Sequence, residues 1–390
     1  MNEKFDRIPN RRETGSLKWN VEKHELPMWV ADMDFETAPE IQEALVERVA
    51  HGVFGYSVLP EEWAESYVSW WGKRHNFIMD PEKLIFTTGV VPAVSSAVRK
   101  LTTLAENVLV QTPGYNIFFN SIRNNGRNVV ENHLLYEGGQ YRMDWETLEE
   151  QLANPQTSLM ILCNPHNPIG KIWDKETLAK VGELCSRYGV TVLSDEIHCD
   201  LTAPGKEYVP FASVNETCRR ISVTCIAPTK TFNLAGIQTA AVYAENPFLY
   251  HKMWRQLNTD EVAEPNAFAV CATVAAFSKG ESWLDELREY IEENKRYVTK
   301  EIGEKIPQMH PVASEATYLM WLDCRSLTDD SDVLCSFIRE KTGLYLASGK
   351  EYGTNGNGFL RMNVATARLL IEDGMQRLFE GITAWMKKIE

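Results

Sequence analysis

Six short runs, most of them almost wholly apolar and separated by stretches with helical periodicity, leave this chain very few architectures. Residues 84–88, 107–111, 158–163, 191–194, 221–226 and 239–244 read as strands. Such continuous apolarity marks strands buried on both faces. Between several of them, residues 92–104, 144–152 and 174–188 carry helical patterns, the last opening on a plausible N-cap, Asp174, and stopping at Gly189. This alternation predicts an α/β fold with a mostly parallel sheet flanked by helices. Right-handed crossovers then bring the loops after the strand C-termini to one edge, where sheets of this kind bind ligands. Beyond residue 275 the texture changes. Helical patterns over 282–305, 332–341 and 367–388 enclose strands at 318–323 and 359–363, which predicts a smaller α+β domain.

Composition narrows the function classes. With 44% hydrophobic and 24% charged residues over 390 positions, the chain is too apolar to be disordered. Forty Lys and Arg against 54 Asp and Glu give a net charge of −14. A phosphate backbone or an anionic bilayer would repel it, so neither nucleic acid nor membrane is expected as a partner. The longest apolar run, residues 267–277, is about half of the ~20 residues a membrane helix needs. Residues 1–16 are polar, with no apolar core of a secretory signal. Eight cysteines form no C-x-x-C pair and no zinc spacing, and several lie inside apolar strands. Reduced, buried thiols in a cytoplasmic enzyme are the expectation, with no metal.

The chemistry sits at four strand ends. Residues 84–88 run into Gly89-Val90-Val91-Pro92, a turn that aims free backbone N–H groups outward and suits a phosphate. Residues 158–163 end in Asn164-Pro165-His166-Asn167-Pro168-Ile169-Gly170, where two Asn-Pro steps stiffen the backbone and leave two amides to donate. Residues 191–194 end in Asp195-Glu196-Ile197-His198, putting a carboxylate where burial demands a partner. Residues 221–226 run into Ala227-Pro228-Thr229-Lys230-Thr231-Phe232-Asn233. Singly, each has a plain structural reading: a turn, a rigid loop, a helix cap, a solvated lysine. Together, on one sheet edge, they supply what pyridoxal 5'-phosphate requires: a phosphate anchor, a carboxylate for the pyridine nitrogen, a donor for the ring oxygen and an amine.

Asn164 to Gly170 resembles the N-P-x-N-P-x-G segment of the fold-type-I aminotransferases, with Asp195 and Lys230 following in the expected order. The resemblance tightens with Leu26-Pro27-Met28-Trp29-Val30-Ala31-Asp32-Met33-Asp34-Phe35, His51-Gly52-Val53-Phe54-Gly55-Tyr56, Cys163-Asn164-Pro165-His166-Asn167-Pro168, Ser194-Asp195-Glu196-Ile197-His198 and Lys230-Thr231-Phe232-Asn233. All five resemble the MalY/PatB-type cystathionine β-lyases. The resemblance implies a fold-type-I transferase: a large cofactor-binding domain over 36–280, a small domain over 281–390, and a segment, 1–35, packing near the active site and the small domain. It implies that Lys230 carries the cofactor and that Asp195 keeps its pyridine nitrogen protonated. Asn167 would donate to the ring oxygen, with His198 where many aminotransferases have tyrosine. Tyr115 would stack on the ring, although a core tyrosine fits its local sequence equally well. Val90, Val91 and Thr229 would hold the phosphate, joined by Tyr56 from the other subunit of a homodimer, and Arg361 would grip the substrate α-carboxylate.

Two departures stand out. Ala227 replaces a serine that often holds the phosphate, and Asn116 follows Tyr115 where related lyases often have a second tyrosine. The implied activity is α,β-elimination of L-cystathionine, or a related cysteine S-conjugate, to a thiol, pyruvate and ammonia, with Lys230 or Tyr115 protonating the departing thiolate. An aminotransferase on the same scaffold, or a lyase with a secondary regulatory binding role, is the alternative.

Overall fold

The computed structural model describes residues 3–389; Met1, Asn2 and Glu390, at the ends of the expected N-terminal segment and small domain, lie outside them. Seven strands form the central sheet: β1 (Leu84–Thr87), β2 (Asn107–Thr112), β3 (Asn128–His133), β4 (Thr157–Cys163), β5 (Thr191–Asp195), β6 (Ser222–Ile226) and β7 (Ala240–Tyr243). Their spatial order is β1-β7-β6-β5-β4-β2-β3. Six run in one direction, and β7 is reversed between β1 and β6. All of β6 and all but the first residue of β5 are buried, which is why these strands read as unbroken apolar runs.

Local chemistry shifted several boundaries. The helix after β1 starts at Val90 rather than Pro92 and ends at Leu101. Proline in a first turn loses nothing, because its N–H would have no partner within the helix. Asp144 and Asp174 each cap a helix, accepting from the N–H of Thr147 and Thr177. Ile221, expected in a strand, closes the helix Glu216–Ile221, and β6 begins one residue later. Edge strand β3 was not expected at all; it buries only Asn132 and Glu131 stands among its polar positions. Helices Pro39–His51 and Glu61–His75 also went unread. The second buries Trp63, Tyr67, Trp70 and Trp71 in one cluster with Phe86, Phe232 and Phe277.

A second sheet is antiparallel, with His310–Pro311, Leu319–Asp323, Phe359–Asn363 and Ala347–Ser348 in that order. Its core, with helices Glu281–Lys305, Ser331–Thr342 and Arg368–Ile389 around it, is a separate apolar cluster. The N-terminal arm joins both cores. Leu26–Pro27 pairs in parallel with Leu344–Tyr345, and Leu26 and Met28 enter the small cluster. A few residues on, Met33 and Phe35 are buried with Phe232 in the large one. Residues 29–32 therefore bridge the two sheets. All eight cysteines are free, and among the described residues no helix is long and apolar enough to cross a membrane.

Candidate active site

Because β1, β2, β4, β5 and β6 run the same way, their C-terminal ends meet along one edge. Beyond β6, Ala227 is extended and Pro228 opens a four-residue helix, Pro228–Thr231, that carries Thr229 and Lys230. Lys230 is half-buried, and its amine donates to the carbonyl of Ala31. Burial pushes the amine down to about 8; Asp32 opposes this, Arg361 adds to it, and Asp195 opposes it in turn. Thr231 donates to the buried carboxylate of Asp200 at 3.1 Å, anchoring the helix from behind.

Asp195 ends β5 and is 4% exposed. Its Oδ1 accepts from the Ile197 N–H at 3.1 Å. Burial raises its carboxyl to about 6, against the pull of that hydrogen bond and of Lys230. The next residue, Glu196, turns away into the core. It accepts from Ser194 at 2.7 Å, from the Phe211 N–H at 2.9 Å and from Tyr208. His198 is buried with Nδ1 lacking a partner, and burial, then Lys230 and Arg361, lower its pKa to about 3, so the ring is neutral.

Asn167, on the stiff loop after β4, accepts through Oδ1 from Arg361 Nη1 at 3.2 Å. Arg361 lies in Phe359–Asn363 of the small sheet and is 5% exposed. Its Nη2 donates to the Trp29 carbonyl at 2.7 Å, its guanidinium sits 4.8 Å from the Tyr352 ring, and Nε is buried with no partner. Tyr115 is half-buried at the end of the β2 loop, packed against the cluster that holds Val90, Cys163 and Ala227. Burial raises its hydroxyl pKa while Arg361 pulls it down. Val90 and Val91 open the helix beside β5 and β6, with the positive end of its dipole toward the same edge. Thr229 is buried nearby. Tyr56 is the exception: it is fully exposed (103%) on a loop with Val53, Phe54, Val58 and Leu59 also exposed.

The sequence placed residues 26–35 in a segment packing near the active site and the small domain, with no role for their backbone. That backbone is a row of acceptors: Val30 and Asp32 carbonyls take Asn363 Nδ2 at 2.6 Å each, and the Ala31 carbonyl also takes the Tyr318 hydroxyl at 3.0 Å. Asn233 closes the row on Met33 and Phe35. Tyr318, just before a strand, and Glu351 and Tyr352, in the turn Gly349–Tyr352, carry no signal of their own in the sequence.

The fold and this constellation define a member of one enzyme superfamily, and the sequence agrees: residues 26–378 match the model for aminotransferase class I and II, the family to which this chain belongs. The chain is 40% identical over 380 residues to cystathionine β-lyase PatB of Bacillus subtilis, covering 96% of this chain and 98% of that protein. It is 32% identical to protein MalY of Escherichia coli, over 97% and 99% of the two chains. Cystalysin from Treponema denticola, a structure containing a pyridoxal 5'-phosphate cofactor, superposes with a TM-score of 0.95 at 31% identity over the full length of both. The resemblance carried by the five motifs thus extends over nearly the whole chain.

Proposed function

We propose that this chain is a pyridoxal-phosphate-dependent carbon–sulfur β-lyase that converts L-cystathionine, or a related cysteine S-conjugate, into a thiol, pyruvate and ammonia. One observation carries the reading: Lys230, Asp195, Asn167 and Arg361, far apart in sequence, come together, Arg361 bonding Asn167 while the charges of Arg361 and Asp195 act on the Lys230 amine. The donor set fits the cofactor. Lys230 offers a desolvated amine, Asp195 a buried carboxylate for a pyridinium, and His198 Nδ1 and Arg361 Nε are buried polar atoms awaiting a partner. Val90, Val91 and Thr229 would hold the phosphate. Ala227 cannot contribute a hydroxyl there.

When bound, the cofactor is an electron sink for charge developing at the substrate Cα. Every other task falls to the chain. Arg361 binds the α-carboxylate in a bidentate grip, with Asn167 and the Trp29 carbonyl fixing its plane. The Lys230 amine takes the Cα proton as general base, its basicity already lowered toward neutrality by burial. Asp195 holds a proton on the pyridine nitrogen, and Tyr115 or Lys230 returns one to the departing sulfur.

The expected organisation is a homodimer with shared active sites in the cytoplasm, a large domain over 36–280, a small one over 281–390 and the bridging arm before them. The exposed loop around Tyr56 supports the dimer, because an apolar stretch in water gains from being covered. Incubation with L-cystathionine and no keto acid tests the chemistry: pyruvate, ammonia and thiol should accumulate in equal amounts over many turnovers. A single turnover followed by stalling would favour an aminotransferase.

A further inference from the structure

Asn116, where the sequence departs from related lyases, meets a carboxylate. Its Nδ2 lies 3.5 Å from Oε2 of Glu351, a long contact between the β2 loop and the turn Gly349–Tyr352 of the small sheet. Asn116 directly follows Tyr115, and Glu351 directly precedes Tyr352, whose ring lies under Arg361. Arg361 is the strongest charge acting on the Glu351 carboxyl. The pair therefore stands at the mouth of the site, on the Arg361 side. Glu351 is exposed and, among the described residues, has no cation at salt-bridge distance. Its neighbour Lys350 turns instead to Asp330 at 2.7 Å and Asp332 at 3.7 Å.

Resting on the lyase function, we propose that Glu351, with Asn116, is the leaving-group subsite and selects thiols that bear an ammonium group. With the substrate α-carboxylate on Arg361, a leaving group that extends past Tyr115 would meet Asn116 and Glu351, which adjoin Tyr115 and Tyr352 in the chain. A carboxylate whose one side-chain partner among the described residues is a weakly held amide gains a charge-assisted hydrogen bond from an incoming ammonium. A purely alkyl thiol offers nothing in exchange. The homocysteine half of cystathionine carries such an ammonium, whereas an S-alkylcysteine does not. The short amide at position 116 leaves the carboxylate open to that approach.

The test compares thiol release from L-cystathionine and from S-ethyl-L-cysteine, using cofactor-loaded wild type, Glu351→Gln and Glu351→Lys. The ratio of kcat/KM values, cystathionine over S-ethylcysteine, should fall ~tenfold in Glu351→Gln, through KM rather than kcat, and further in Glu351→Lys. Glu351 is exposed, so both variants should fold. A ratio within about twofold of wild type in both variants overturns the subsite. If wild type releases thiol from neither substrate, the lyase function itself falls and the subsite with it.

Discussion

Arg361 reaches across the two sheets to Asn167, donating from Nη1 to Oδ1 at 3.2 Å. The same guanidinium holds the Trp29 carbonyl at 2.7 Å, so one side chain ties together the small sheet, the loop after β4 and the bridging arm. A substrate carboxylate arriving here meets a guanidinium already fixed in plane. Arg361→Lys keeps the charge and loses the fork. It should lower kcat/KM by about a hundredfold, mostly through KM, in a protein that still folds and binds cofactor. Steady-state kinetics on L-cystathionine decide the matter; an unchanged KM would remove Arg361 from carboxylate binding.

Asp195 is buried beside Lys230, whereas the neighbouring carboxylate, Glu196, is occupied by Ser194, Phe211 and Tyr208. Asp195→Asn preserves shape and removes charge. Cofactor should still bind, with turnover down by several orders of magnitude. A variant within about tenfold of wild type, a difference of ~1.4 kcal/mol, would count against the role.

Glu196 makes stability depend on pH. Burial raises its carboxyl from an ordinary 4.5 to about 7 in the folded chain. The folded state therefore holds this proton more tightly than the unfolded one. That contribution is complete below 4.5 and is lost as the pH rises through about 7. Glu196→Gln cannot ionise, so any melting-temperature deficit relative to wild type should shrink as the pH rises from 4.5 to 7. A deficit constant across that range would mean that Glu196 does not titrate there.

Tyr56 is fully exposed in its own chain. If a partner subunit's phosphate site needs its hydroxyl, Tyr56→Phe should weaken cofactor retention without altering the fold. Sedimentation should find the wild type as a dimer. An active monomer would refute the shared site.

Much of this protein was legible because burial writes itself into composition. The strands β4, β5 and β6 lie between helices on both faces, so nearly every position must be apolar and the run is visible without a partner. The last strand of the small sheet, Phe359–Asn363, was read to the residue for the same reason: all five positions are buried. Asp195, a carboxylate closing such a run, stands out because burying it has a cost that only a function or a partner offsets. Edge strand β3 was illegible since it is mostly solvated, and the reversal of β7 leaves no trace in a strand's own composition.

What the tertiary structure alone decided is which groups meet. Arg361 and Asn167 are 194 positions apart, and Lys230 and the Ala31 carbonyl 199. The carbonyls of 29–32 look like any backbone in a sequence, because every residue has one. They became acceptors for Arg361, Asn363, Lys230 and Tyr318 only when the arm was stretched between two apolar cores. The chain's local chemistry determined what each strand end could offer. Only long-range packing could determine the distances between them, since contacts across hundreds of residues depend on the whole fold closing and on no segment alone.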